Sequence, residues 1–147
     1  MKFTISIIIN QSIEKLAQLI SDNSQRKYWQ KGFNSYQLVS GTEMQQGAKA
    51  IIKLKNNNTL IVLHETILEN KLPQQLTALY EHKHMINTMT HHFSEADKQK
   101  TIYSVEIHYT KFIGIIPKLM ALFMPSLFRK QIQQSMESFK IFAEQQY

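Results

Sequence analysis

"FRKQIQQSMESFKIFAE", residues 128–144, decides how the rest of the chain is read. Phe128, Ile132, Met136, Phe139 and Ala143 recur at spacings of four, four, three and four, which is one face of a helix. Arg129, Lys130, Gln133, Gln134, Glu137, Lys140 and Glu144 fill the rest of the wheel. A helix with one apolar stripe has to bury that stripe against another layer. The partner layer lies upstream.

From Gly32 onward about eighty residues read as strands: "SYQLVSG", "AKAIIKLK", "TLIVLHETILEN", "QQLTALYEH", "MINTMTHHF" and "TIYSVEIHYTKF". They are separated by short turn signals such as "NNN" at 56–58, "KLP" at 71–73 and "SEADKQK". The junction at "EHKHM" has neither Gly nor Pro, so a bend there rests on strand length alone. Turns this short join antiparallel neighbours, because parallel strands need crossovers of a dozen residues or more. Ahead of them, "KFTISIII" alternates Phe3, Ile5, Ile7 and Ile9 with polar residues and predicts a first strand. "NQSIEKLAQLISD" then shifts to spacings of three and four, with Asn10 or Ser12 as N-cap, and "NSQRKYWQK" adds a second short helical turn before Gly32. The prediction is an α+β chain: a strand, two short helices, about six strands and a long C-terminal helix covering the concave face of a curved antiparallel sheet.

The totals narrow the function classes. At 147 residues the chain is expected to form one domain, residues 1–147. With no cysteine it has no disulfide framework, no thiolate metal site and no cysteine nucleophile. Lys2 precedes an apolar run, but Thr4 and Ser6 interrupt it and Asn10 ends it, so the expectation is a cytoplasmic protein without a signal peptide. The net charge of +6 is dispersed, with "RK" at 26–27 and 129–130 as the only adjacent basic pairs, and no nucleic-acid partner is expected.

Several patterns, in order, resemble the START-like (SRPBCC) superfamily, which includes Bet v 1-type proteins and polyketide cyclases. These are the first strand leading into "SIEKLAQLISD", the aromatic "YW" at 28–29, Gly41 and Gly47 flanking a hairpin, "HETILENKLPQQL", and "FKIFAE" at 139–144 closing the last helix. One departure is "EADKQK", where family members often carry a glycine-rich turn. The resemblance implies a helix-grip fold, in which a seven-stranded antiparallel sheet wraps the C-terminal helix around a cavity. Functionally it implies binding of an apolar or amphipathic small molecule or lipid. Fold alone does not select among carriers, receptors and cyclases.

The stretch "FIGIIPKLMALFMPSLF", 112–128, is too short and too interrupted by Gly114, Pro117, Lys118, Pro125 and Ser126 to span a membrane. Pro117 suits a first helical turn and Pro125 breaks the helix, so a short helix to about Met124 is expected to precede the long one. "KLMALFM" is apolar all round, and something beyond the sheet has to cover it. As cavity wall we expect Leu119, Met120, Phe123 and Met124, followed by Leu127, Phe128, Ile132 and Met136 from the long helix. Facing them we expect Met85, Met89, Phe93, Tyr103 and Tyr109 from the sheet, with strand parity open. Glu65 and Glu106 sit in mid-strand, where an inward-facing carboxylate would bind a ligand hydroxyl or amine or serve as a base. Tyr80, Tyr103 and Tyr109 offer hydroxyl tips for orienting a ligand. Trp29 is expected to cap the first helices against the sheet.

Six histidines, His64, His82, His84, His91, His92 and His108, lie in the sheet region without metal-ligand spacing, so no metal site is expected, and no cofactor. Three readings follow: a carrier or binder of a hydrophobic molecule in an internal cavity; a cyclase or aromatase using a cavity carboxylate or histidine; and a membrane or protein contact through residues 115–128, helped by Lys111, Lys118, Arg129 and Lys130.

Overall fold

The structure, a computed structural model, describes residues 1–147. β1 (Lys2–Ile9) is followed by α1 (Ile13–Ser21), a 3-10 turn at Asn23–Gln25 and α2 (Arg26–Trp29). Six strands follow: β2 (Phe33–Ser40), β3 (Lys49–Asn56), β4 (Thr59–Lys71), β5 (Gln75–His82), β6 (Met85–Asp97) and β7 (Lys100–Phe112). α3 (Ile115–Phe123) and α4 (Pro125–Glu144) complete the chain. The strands form one antiparallel sheet in the order β1-β7-β6-β5-β4-β3-β2, so the first strand closes on the last. This is the α+β helix grip that the sequence predicts.

Local chemistry accounts for the joints. The Ser12 hydroxyl accepts from the Lys15 backbone N–H and starts α1. Gly32, with φ of 79°, turns the chain from α2 into β2, and a Cβ there would stand 2.5 Å from the Lys55 carbonyl oxygen. At "EADKQK" both strands run on, and only Lys98 and Gln99 form the turn. Met124 interrupts the helical run and Pro125 begins α4 as its first residue.

α4 lies in the grip of the sheet. Phe139, Met136 and Ala143 pack with Ile5, Ile9, Leu16, Ile20, Phe93 and Val105 in the largest apolar cluster. Its C-terminal end is pinned by Gln11, whose Nε2 donates to the carbonyls of Ala143 at 3.1 Å and Gln146 at 3.0 Å. The Thr101 hydroxyl donates to the Gln11 carbonyl at 2.8 Å, and the Asn10 backbone N–H donates to Glu144 Oε2 at 2.7 Å. The other end of α4 is tied more lightly, by one exposed hydrogen bond from Arg129 Nη2 to the Thr4 carbonyl at 3.3 Å. There Phe128 rests on Tyr109 and Phe112, with ring centroids 5.2 and 5.6 Å apart. No helix is long and apolar enough to cross a membrane.

Candidate functional site

Alternation along the strands settles which residues face α4. On β7 the buried set is Thr101, Tyr103, Val105, Ile107 and Tyr109. On β6, Met85, Asn87, Met89, His91 and Phe93 share the inner face. On β4 the inner residues are Leu63, Glu65 and Ile67, and on β5 they are Leu76, Ala78 and Tyr80. Between this concave face and α4 lies a cavity of about 180 Å³ lined by 23 residues, 17 of them hydrophobic. A single buried water needs roughly 15 Å³, so the space is large enough for a small organic body.

The expected wall residues divide into three groups. Met85, Met89, Tyr103, Tyr109, Ile132 and Met136 line the cavity. Phe93 and Phe128 are buried in the packing around it. Leu119, Met120, Phe123, Met124 and Leu127 do not line the cavity but are exposed, and their expected place in the wall is corrected. The cause is the break at Met124, where φ of −134° and ψ of 52° turn α3 off the axis of α4. The apolar face of α4 therefore does not continue through α3, and of α3 only Ala121 packs into the cluster around Phe128. Glu106 is a second correction. It points to the outer face of β7, where its carboxylate pairs with Lys2 at 3.4 Å. The odd-numbered apolar series Tyr103, Val105, Ile107 and Tyr109 carried that information in the sequence.

Glu65 faces inward and is 2% exposed. Its Oε2 accepts from Arg26 Nη2 at 3.2 Å and from the Tyr80 hydroxyl at 2.8 Å. Tyr80 stands opposite Glu65 in the β4–β5 register, and α2 delivers Arg26 from the other side. Burial alone would lower the Arg26 pKa, but the facing Tyr80 and Glu65 outweigh it and the guanidinium is held charged. Burial, and then the Glu65 charge, pushes the Tyr80 phenol well above its ordinary value. The desolvation cost of a buried pair of this kind is repaid fully only when its remaining hydrogen-bonding groups are also satisfied.

Here they are not. Nε and Nη1 of Arg26, Nε1 of Trp29 and Oε1 of Gln30 are buried without a partner in the protein. All three residues line the cavity. Trp29 also packs edge-on against Phe139, with ring centroids 5.0 Å apart, so it caps α2 against the core while bordering the cavity. Arg26 and Gln30 escaped the sequence reading. The signal was the spacing of three and four from Arg26 to Trp29 and Gln30, which places the three on one face of a helical turn.

Of the six histidines only His91 reaches the cavity. Its Nδ1 lies 2.8 Å from the Tyr103 hydroxyl. Burial, then the charges of Arg26 and His92, lowers its pKa to about 4, so the ring is neutral at pH 7. Burial raises the Tyr103 phenol far above its ordinary value and Tyr109 to about 12. His82 ends β5 and His84 lies in the turn to β6, with ring centroids 5.4 Å apart. No group of three or more His, Cys, Asp or Glu side chains converges as a metal site.

No family model and no curated protein matches the sequence. Solved structures do. A START superfamily protein from Mycobacterium smegmatis superposes with a TM-score of 0.78 at 10% identity, covering 98% of this chain and 97% of that one. The Zhui aromatase/cyclase from Streptomyces sp. R1128 gives 0.79 at 5% identity over 98% and 93%. Ginseng major latex-like protein 151 from Panax ginseng gives 0.75 at 10% over 97% of each chain. Likeness at such low identity speaks for the backbone and not for its chemistry. By architecture, the chain has the START-like helix-grip fold.

Proposed function

We propose that the protein binds, and carries, a hydrophobic or amphipathic small molecule in the cavity between the sheet and α4. The observation that carries this reading is the cavity itself: an apolar lining with a few buried polar groups gathered at the α2 end. Binding would be driven by apolar surface leaving water, worth about 25 cal/mol per Å², with the polar groups fixing orientation. A cyclase-type reaction would need a group that trades protons near neutral pH. Glu65 is engaged by Arg26 and Tyr80, and His91 titrates near pH 4, so binding is the better-supported reading. Native mass spectrometry of the purified protein, followed by organic extraction, tests it. A co-purifying amphipathic molecule is the expected result. An empty protein whose Met85, Met89 and Met136 methyl resonances ignore every apolar probe would overturn it.

A second reading concerns α3 and is favoured by its surface. Ile115, Ile116, Leu122 and Phe123 are 71–77% exposed. No acidic residue occurs between Glu106 and Glu137, whereas Lys111, Lys118, Arg129 and Lys130 surround the patch, exposed and free of ion pairs. Apolar side chains rimmed by unpaired cations match an anionic lipid surface. In this reading α3 docks on a membrane, beside the N-terminal end of α4. Pelleting with phosphatidylserine-containing vesicles is expected, with loss at high salt and in the double variant Leu122→Ser/Phe123→Ser. Failure to pellet, or self-association through the patch in its place, would refute it.

A further inference from the structure

The proposed binding reading leaves open which end of a ligand sits at α2, and with what chemistry. The polar atoms there are unequal in kind. The unpartnered nitrogen atoms of Arg26 and Trp29 are all donors, because neither guanidinium nor indole N–H has a lone pair to offer. Among the fully buried, unpartnered side-chain atoms of the cavity-lining residues, Gln30 Oε1 is the one acceptor. The α2 end is therefore short of acceptor oxygens, and a buried donor without one is costly.

Charge then separates two kinds of acceptor. Arg26 and Glu65 are the only charged side chains in the lining, and they neutralise each other. His91 adds no charge at neutral pH. An incoming carboxylate would bring an unbalanced charge into a largely apolar space, where desolvation outweighs the gain. A neutral carbonyl oxygen brings lone pairs without that charge. It also leaves the Glu65 bonds to Arg26 and Tyr80 undisturbed.

We propose that Arg26 and Trp29 form a subsite for a neutral carbonyl oxygen, so that the ligand enters carbonyl first with its apolar body along Met89, Ile132 and Met136. The subsite rests on the binding reading above and specifies the ligand class for it. Trp29→Phe is the sharpest probe, because it keeps a ring against Phe139 and removes the N–H with the second ring of the indole, a packing loss that the apolar probe ethylbenzene reports by itself. Arg26→Lys, which keeps a cation beside Glu65 but loses the planar fork, gives the same readout should the first variant fold poorly.

Acetophenone, ethylbenzene and benzoate are the probes: one aromatic body with a carbonyl, no polar group or an anion. Titrations at pH 7.5 would follow the methionine methyl resonances, with Met85, Met89 and Met136 reporting the cavity and Met120 and Met124 the α3 surface. The wild-type protein is expected to bind acetophenone at least tenfold more tightly than benzoate. Trp29→Phe is expected to weaken acetophenone about three- to tenfold while leaving ethylbenzene within twofold. Benzoate binding more tightly would overturn the neutral class, and equal losses for acetophenone and ethylbenzene would reduce Trp29 to packing. In both cases cavity binding itself would stand. If neither acetophenone nor ethylbenzene moved the cavity methyls, the subsite and the binding reading would fall together.

Discussion

α2 and α3 break the usual arrangement of a protein surface in opposite directions. At α2, Arg26, Trp29 and Gln30 bury polar atoms that the protein does not satisfy. At α3, Ile115, Ile116, Leu122 and Phe123 are held out in solvent. Folding alone favours neither arrangement: buried polar groups cost free energy unless bonded, and exposed apolar patches invite association. The alternation along β7 shows the ordinary pattern against which both stand out. When most of a sequence agrees with its fold, the places of local conflict are the ones to examine for function. Here one conflict lies inside the cavity and the other beside it on the surface, where each suits a different kind of partner.

The comparison is broken most severely by removing the partner of the buried cation. Glu65→Ala leaves Arg26 charged and unpaired, and should lower unfolding free energy by about 3–5 kcal/mol in urea titrations. Arg26→Met/Glu65→Leu should recover much of that loss, and a double variant as unstable as Glu65→Ala would show that the pair is not the cause. A pH titration comes next. The pKa of His91 is about 4 in the folded protein against 6.5 ordinarily, so the unfolded chain takes up the proton first. Its contribution is full above pH 6.5 and is lost as pH falls toward 4, by about 3 kcal/mol. His91→Phe should flatten that part of the stability profile, and an unchanged slope would show that other groups govern it.

Smaller effects sharpen the contrast. Gly32→Ala forces a side chain into a positive φ and against the Lys55 carbonyl, and should cost about 1–3 kcal/mol while disturbing the placement of α2. A melting curve identical to wild type would show that α2 is not fixed by this turn. At α3 the expectation is near silence. Leu122→Ser should change stability by no more than about 0.5 kcal/mol. Phe139→Ala, an apolar truncation in the core, should cost about 3–5 kcal/mol. A large penalty at Leu122 would mean that α3 is covered in the isolated protein and that the comparison is false.

The strands, the Ser12 cap and the stripe of α4 were legible because each depends on a local period or a local hydrogen bond. The break at Pro125 was legible too, since proline acts on its own turn. What it does to direction was not. The sequence reading carried the wall from α4 into α3, and five side chains assigned to the cavity turned out exposed. The facing of Glu106 was left open although the parity of β7 lay in plain view, whereas Glu65 depended on a partner 39 residues away. Arg26 illustrates the general obstacle. Its neighbour Lys27 makes it look like half of a surface basic pair, and only the tertiary fold, by setting Glu65 and Tyr80 against it, makes it a cavity residue.

The clamp at Gln11 gives α4 a mechanical asymmetry. A rod fixed at one end by buried and part-buried bonds and held at the other by a single exposed one, Arg129 to the Thr4 carbonyl, pivots about the fixed end once that bond opens. An outward swing of α4 therefore has its fulcrum at Ala143 and its widest arc at Pro125. Amide exchange should accordingly slow from Phe128 toward Ala143, and uniform protection along the helix would argue against such a swing. Under this geometry the cavity widens as a wedge that opens toward α3, and the α2 end, where Arg26 pairs with Glu65, keeps its shape while the other end moves.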